Sequence, residues 1–204
     1  MAIKITTSVE QSRNFRSCEP GLLAATQCYI SNKGYSVDTE INIIEVINDI
    51  GIDYGLHCTA FSLQGMTPER INWGLLVGAE LAERTIDNYD NVAVGGRALR
   101  DCITGIYLYT EGKISRSALD GLRKDALKLT IPLTKRSSEI LAVRAVYCAA
   151  GEGAEDLYAA ARFARKSFSV LYPREGCCTD KFTNTAEEEE ANIQSSIVIN
   201  NLLP

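Results

Sequence analysis

Apolar residues recur three and four positions apart along nearly the whole chain, and a repeat of that length commits it to helices that bury one face. The clearest stripe is Ile71, Leu75, Ala79, Ala82 and Ile86, which follows Thr67-Pro68-Glu69-Arg70. Thr67 suits an N-cap and Pro68 a first helical turn, where a missing N–H costs nothing. The same logic places a helix from Pro20 to Ser31, stopped by Asn32-Lys33-Gly34, and another from Thr39 to Ile50, with Ile43, Val46, Ile47 and Ile50 on one face. The isoleucines of this second helix also suit a strand. Asp53 to Leu63 follows, and beyond the Thr67 helix Gly95-Gly96 precedes Leu99, Cys102, Ile103 and Ile106, a stretch that closes at Glu111-Gly112-Lys113. Ser115 then caps a helix carrying Ala118, Leu122, Ala126 and Leu129, ended by Pro132.

Between Ser138 and Val170 lie two alanine-rich helices separated by Gly151-Glu152-Gly153, and their small faces permit close approach. An irregular stretch from Tyr172 to Thr185 leads to a last helix from about Ala186 through Ile193, Ile197 and Val198 toward Leu203. The start differs. Ile3, Ile5 and Thr7 alternate, so residues 1–16 read as an ordered arm or a short edge strand, too short to found a sheet. Short loops between helices imply antiparallel neighbours. The expected architecture is therefore all-α: a single-domain antiparallel bundle of about eight to nine helices over residues 1–204, with the last helix at 186–204.

Composition narrows what such a bundle can do. Hydrophobic residues at 46% and charged residues at 23% support a packed core in a chain of 204 residues, a length that suits one domain. No apolar run is long enough for a bilayer span, and Met1 to Glu10 lacks the apolar centre of a signal peptide, so a cytoplasmic location is expected. The net charge of −5 disfavours a broad grip on nucleic acid phosphates. Part of the acidic surplus is Glu187-Glu188-Glu189-Glu190, a run suited to a helix start.

Seven cysteines without a C-x-x-C pair suggest reduced thiols, not a disulfide framework or a zinc site. Cys28, Cys58, Cys102 and Cys148 fall in apolar helical stretches and read as core residues, whereas Cys177-Cys178 falls in a loop. His57 is the one histidine, so any triad would have to use it, and its helical setting reads as structural. Neither a P-loop nor a dinucleotide-binding glycine motif is present. Carboxylate pairs such as Glu80 with Glu83 and Glu155 with Asp156 read as surface charge. No catalytic residue, metal site or cofactor is expected from these patterns.

Arginines are the more informative set. Arg162 and Arg165 are three apart and share a helical face, and Arg144 on the preceding helix can join them if the two helices are antiparallel neighbours, with Tyr147 and Tyr158 flanking. Such a cluster suits a phosphate or a partner's carboxylates. The plainer reading pairs these arginines with Glu139, Glu155 and Asp156 on the surface.

Several short stretches also form a pattern. Cys18-Glu19-Pro20-Gly21-Leu22 is similar to A-C-x-x-G-L, and Ala79-Glu80-Leu81-Ala82-Glu83-Arg84 to a C-A-E-x-V-L helix. Arg100-Asp101-Cys102-Ile103-Thr104-Gly105 and Glu111-Gly112-Lys113-Ile114 are similar to R-x-A-I-E-A and G-E-I. With the alanine-rich pair and the end from Gln194 to Leu203-Pro204, the chain resembles the all-helical immunity proteins of the fifth immunity type, found in bacterial toxin loci and phage genomes. It departs at Gly95-Gly96-Arg97-Ala98-Leu99-Arg100, where that family has D-D-x-R-P-R and only the second arginine, Arg100, is kept. The resemblance implies a helical fold and a setting of microbial conflict.

The expectation is a non-enzymatic inhibitor in bacterial or phage conflict that neutralises a toxin or host defence protein by binding it. The alternative is an anti-defence sponge for a phosphorylated nucleotide signal. Candidate binding residues are Arg100, Arg144, Tyr147, Tyr158, Arg162 and Arg165. Small-residue helical faces also make a homo-oligomer conceivable. An enzyme with an unfamiliar site stays a third alternative.

Overall fold

Thr67, Asn42 and Ser115 each turn the chain into a helix by the same device, a side-chain oxygen that accepts a backbone N–H from the first turn. The computed structural model describes residues 5–10, 20–36, 39–59, 67–86, 96–130, 138–171 and 185–202. Among them the order is β1 (Thr6–Ser8), α1 (Pro20–Asn32), β2 (Glu40–Asn42), α2 (Ile43–Ile50), α3 (Ile52–Thr59), α4 (Pro68–Glu83), α5 (Arg97–Thr110), α6 (Arg116–Lys128), α7 (Ser138–Ala149), α8 (Ala154–Leu171) and α9 (Thr185–Leu202). The fold is all-α with one small sheet. Within the described residues no helix is long and apolar enough to cross a membrane.

The turn between α5 and α6 shows why the sequence signals work. Gly112 takes φ +73°, its N–H bonds to Tyr109 O at 2.9 Å, and the Lys113 N–H reaches Leu108 O at 2.8 Å. This paired closure satisfies two carbonyls at the end of α5 and needs a left-handed residue, which glycine supplies without strain.

Two expectations need correction. Thr39 to Asn42 is not the start of a helix, because Glu40–Asn42 is the strand β2, and the initial arm does found a sheet by pairing with it antiparallel. The register sets Thr6 opposite Asn42, Thr7 opposite Ile41 and Ser8 opposite Glu40. Ile41 is buried while Glu40 and Asn42 are exposed, a period of two in which a side-by-side partner decides the conformation. Asn42 then accepts the Ile44 N–H at 2.9 Å and opens α2 one residue later. The other correction is Cys28, which is exposed on α1 while Cys58 and Cys102 are buried and Cys148 is half-buried. Cys18, Cys177, Cys178, the Gly95 break and Pro132 lie outside the described residues.

Helices α4 and α8 are apolar on two sides, and that gives the molecule two cores. On α4, Trp73, Val77 and Leu81 enter a core built with Ile5, Ile41, Ile43, Val46, Ile52 and Leu56, whereas Leu75, Ala79 and Ala82 enter a second one. On α8, Leu157 and Ala161 face the first core and Ala160 and Ala164 the second. The second core is dominated by alanine and is completed by α5, α6 and α7. There α4 and α7 approach so closely that a Cβ at Gly78 would lie 3.2 Å from the Ala149 Cα.

A half-buried ion pair fastens α9 to this frame. Glu190 is 3% exposed and receives two hydrogen bonds from Arg84, at 3.0 and 2.8 Å. The pairing holds the Arg84 guanidinium above its ordinary pKa, chiefly through that hydrogen bond. Gln194, one turn later, donates to Ala161 O at 3.2 Å. The four-glutamate run does open a helix, as expected from the dipole, yet its last member points inward.

Candidate functional site

Helix α6 carries Arg116, Asp120 and Arg123 at intervals of four and three, hence on one face, and that face meets the end of α7. A helix ends with carbonyls that have no intrahelical partner. Arg123 takes one of them, donating from Nε to Tyr147 O at 2.8 Å, and its guanidinium lies 4.0 Å from the Tyr147 ring centre. Its Nη2 donates to Asp156 at 3.2 Å. Arg116 takes Ala150 O at 3.1 Å, pairs with Asp120 at 2.8 Å and with Glu152 at 3.2 Å, and lies over the Tyr109 ring. Tyr109 donates its hydroxyl to Glu152 at 2.8 Å, which pushes the phenol's pKa up.

These contacts fix the turn Gly151-Glu152-Gly153 between α7 and α8. The Asp156 carboxylate accepts the Gly153 N–H at 3.1 Å, and any side chain at Gly151 would collide with that carboxylate. Asp156 is thus half-buried and engaged with Arg123, a correction to its reading as plain surface charge; Glu155 beside it is exposed.

Next to the turn is a cleft of about 290 Å³, counting space open to solvent, lined by Thr59, Arg70, Trp73, Glu152, Leu157 and the glycines of the turn. It lies at the seam of the two cores, since of its lining residues Trp73 and Leu157 belong to one and Ile71 packs against the other. Arg70 and Trp73 are three apart on the first turns of α4, and both are buried, at 5% and 4% exposure. Burial pulls the Arg70 guanidinium below its ordinary pKa, since a low-dielectric setting disfavours the charge. The Thr59 hydroxyl donates to Leu56 O at 2.6 Å. The Trp73 indole Nε1 meets no acceptor among the described residues.

The six residues singled out from the sequence occupy several different surroundings. Tyr158 and Arg165 share a face of α8 directed at α3, where Tyr158 meets His57 edge-on at 6.0 Å and Arg165 pairs with Asp53. Arg162 is on that same face by spacing, four after Tyr158 and three before Arg165, and is half-buried. Arg144 is exposed and lies 5.6 Å from the Phe163 ring. Phe163 and Arg165 are two residues apart, about 200° around a helix, so the structure does not bring Arg144 and Arg165 together. Tyr147 faces Arg123, and Arg100 is exposed on α5.

His57 is itself buried, and the neighbouring Cys58 thiol is pushed up to about 12 by burial, as is Cys102; Cys148 rises to about 11 for the same chief reason. These thiols are protonated near neutral pH and are poor nucleophiles in that form. Arg70, Trp73, Arg116, Arg123 and Glu152 are not among the residues that the sequence singles out for binding. The seven-residue spacing of Arg116 and Arg123 and the Gly-Glu-Gly turn were the available signals, but only α6 lying against α7 gives them partners.

With this geometry in hand, no family model, no curated protein and no solved structure matches the chain.

Proposed function

We propose that the chain acts by binding a protein partner, as a non-enzymatic inhibitor of a toxin or defence protein in bacterial or phage conflict. The observation that carries this reading is one outward face built by three helices. Glu80 and Glu83 of α4 are exposed there beside Leu76, 37% exposed, and Tyr107 of α5, 36% exposed. Tyr107 lies 3.5 Å from Glu83, and Asn201 of α9 donates to Glu80 at 3.2 Å. An exposed tyrosine and leucine among carboxylates form a surface that attracts a basic partner over distance and then buries apolar area against it. The net charge of −5 acts in the same direction.

The test uses the full chain and the paired variant Glu80→Arg with Glu83→Arg. Wild type is expected to retain a defined partner from the native host and to relieve that partner's toxicity or activity, while the charge-reversed variant loses both with its helical content unchanged. Equal capture and protection by the two proteins would overturn the proposal, as would recovery of no partner at low salt.

A further inference from the structure

We propose that α9 sets the charge of the acidic face by drawing the Arg84 guanidinium inward to Glu190 and so away from Glu80; the inference rests on that face being the partner-binding surface. Glu80 and Arg84 are four residues apart at the end of α4, with the acid on the N-terminal side, the order in which a helix surface pairs opposite charges best. The cation nevertheless pairs with a residue 106 positions further along the chain. Arg84 gives both arms of its fork to the Glu190 carboxylate, Nε at 3.0 Å and Nη2 at 2.8 Å, and its guanidinium lies 5.9 Å from the Phe168 ring centre of α8. Two charge-assisted bonds to a carboxylate that is 3% exposed outweigh one solvent-screened surface pair, so the inward partner wins.

The consequence is at the surface. Glu80 receives the neutral Asn201 amide at 3.2 Å in place of a cation, and Asn201 is itself on α9. Glu83 meets the neutral Tyr107 hydroxyl. Both carboxylates therefore keep their charge available to a basic partner. With the Glu190 carboxylate removed, Glu80 is the acid left to claim Arg84, whose guanidinium already feels the Glu80 charge. Pairing there would cancel one of the two negative charges that the face presents. Glu190 is thus a positioning residue: it touches no partner and acts by holding a neutralising cation out of the face.

The probe is fluorescein-labelled hexalysine, titrated with the full chain at low salt and followed by fluorescence anisotropy. Glu190→Met releases Arg84, while Glu189→Met, at an exposed position on the same helix, removes an equal charge and leaves the Arg84 pair in place. Glu190→Met is expected to bind the peptide about three- to fivefold more weakly than Glu189→Met, the size of one partly screened charge contact. Adding Arg84→Gln to Glu190→Met is expected to restore the affinity, whereas a merely structural role for Glu190 would leave binding lower still. The crystal structure of Glu190→Met is expected to bring an Arg84 nitrogen within about 4 Å of a Glu80 oxygen. Should Glu190→Met fail to fold, Glu190→Gln, which weakens the inward bonds without a change of shape, serves instead and is expected to shift affinity in the same direction. Equal peptide affinity in the folded Glu190 variant and Glu189→Met, or an Arg84 that stays away from Glu80 in the variant's structure, overturns this inference alone. Wild type binding the peptide no better than the Glu80→Arg, Glu83→Arg variant overturns the face itself, and this inference with it.

Discussion

The two cores solve the same packing problem with opposite materials. One, around α2, α3 and the small sheet, is filled by isoleucine, leucine and tryptophan, and its stability resides in large side chains removed from water. The other, among α5, α6 and α7, is filled largely by alanine, so its stability depends on backbones brought close, as at Gly78 against Ala149. Helices α4 and α8 belong to both. The difference teaches that one core is damaged by making side chains smaller and the other by making them larger.

Substitutions on either side put that contrast to the test. Leu81 is fully buried in the aliphatic core, and Leu81→Ala is expected to lower unfolding free energy by about 3 kcal/mol, from lost burial plus the cavity left behind. Urea denaturation measures it, and a loss under about 1 kcal/mol would mean that this core collapses freely around the gap. Arg84→Met leaves Glu190 buried without its cation; because Arg84 is itself about a third exposed and water can partly substitute, about 2.5 kcal/mol is expected, less than a fully enclosed pair would show. That loss should be smaller in the double variant that also carries Glu190→Gln, since the second change removes the orphaned charge.

In the alanine core, Ala145→Leu is expected to cost about 2 kcal/mol by overpacking, although it adds apolar surface. A stabilised Ala145→Leu protein would show that the helices are not in close contact there. At the turn beside that core, Gly112→Ala is expected to cost about 1 kcal/mol, since alanine resists the positive φ. The smallest effect belongs to the polar rim of the aliphatic core, where Asp49 accepts from Tyr29 at 2.8 Å and pairs with Lys33 at 2.7 Å. Its pKa is lowered chiefly by the Lys33 hydrogen bond, so its contribution is present above the ordinary carboxylate range and fades as pH falls through the lowered value. A modest acid-side loss of thermal midpoint, absent in Asp49→Asn, is the expected result.

Which elements were legible from sequence follows from the same contrast. The stripe Leu75, Ala79, Ala82 on α4 is visible from its three- and four-residue spacing, but Trp73, Val77 and Leu81 form a second stripe on the same helix. A one-sided pattern cannot announce a helix buried on two sides. The cleft was hidden for a related reason. Arg70 reads from sequence only as part of a helix start, Trp73 falls outside the apolar stripe, and nothing local places either beside the turn Gly151-Glu152-Gly153.

The succession of helices is written in the local sequence, because caps, glycine turns and the 3.6 period are short-range and act through neighbours along the chain. The sequence also set the net charge and the range of familiar chemistries its motifs can encode. Only the tertiary structure decided that residues 40–42 pair with the arm, that Glu190 turns inward to Arg84, that Arg165 goes to Asp53 and away from Arg144, and that Arg70 and Trp73 face a common cleft. Each of these joins residues far apart in sequence, and a contact of that kind exists only when the helices have packed.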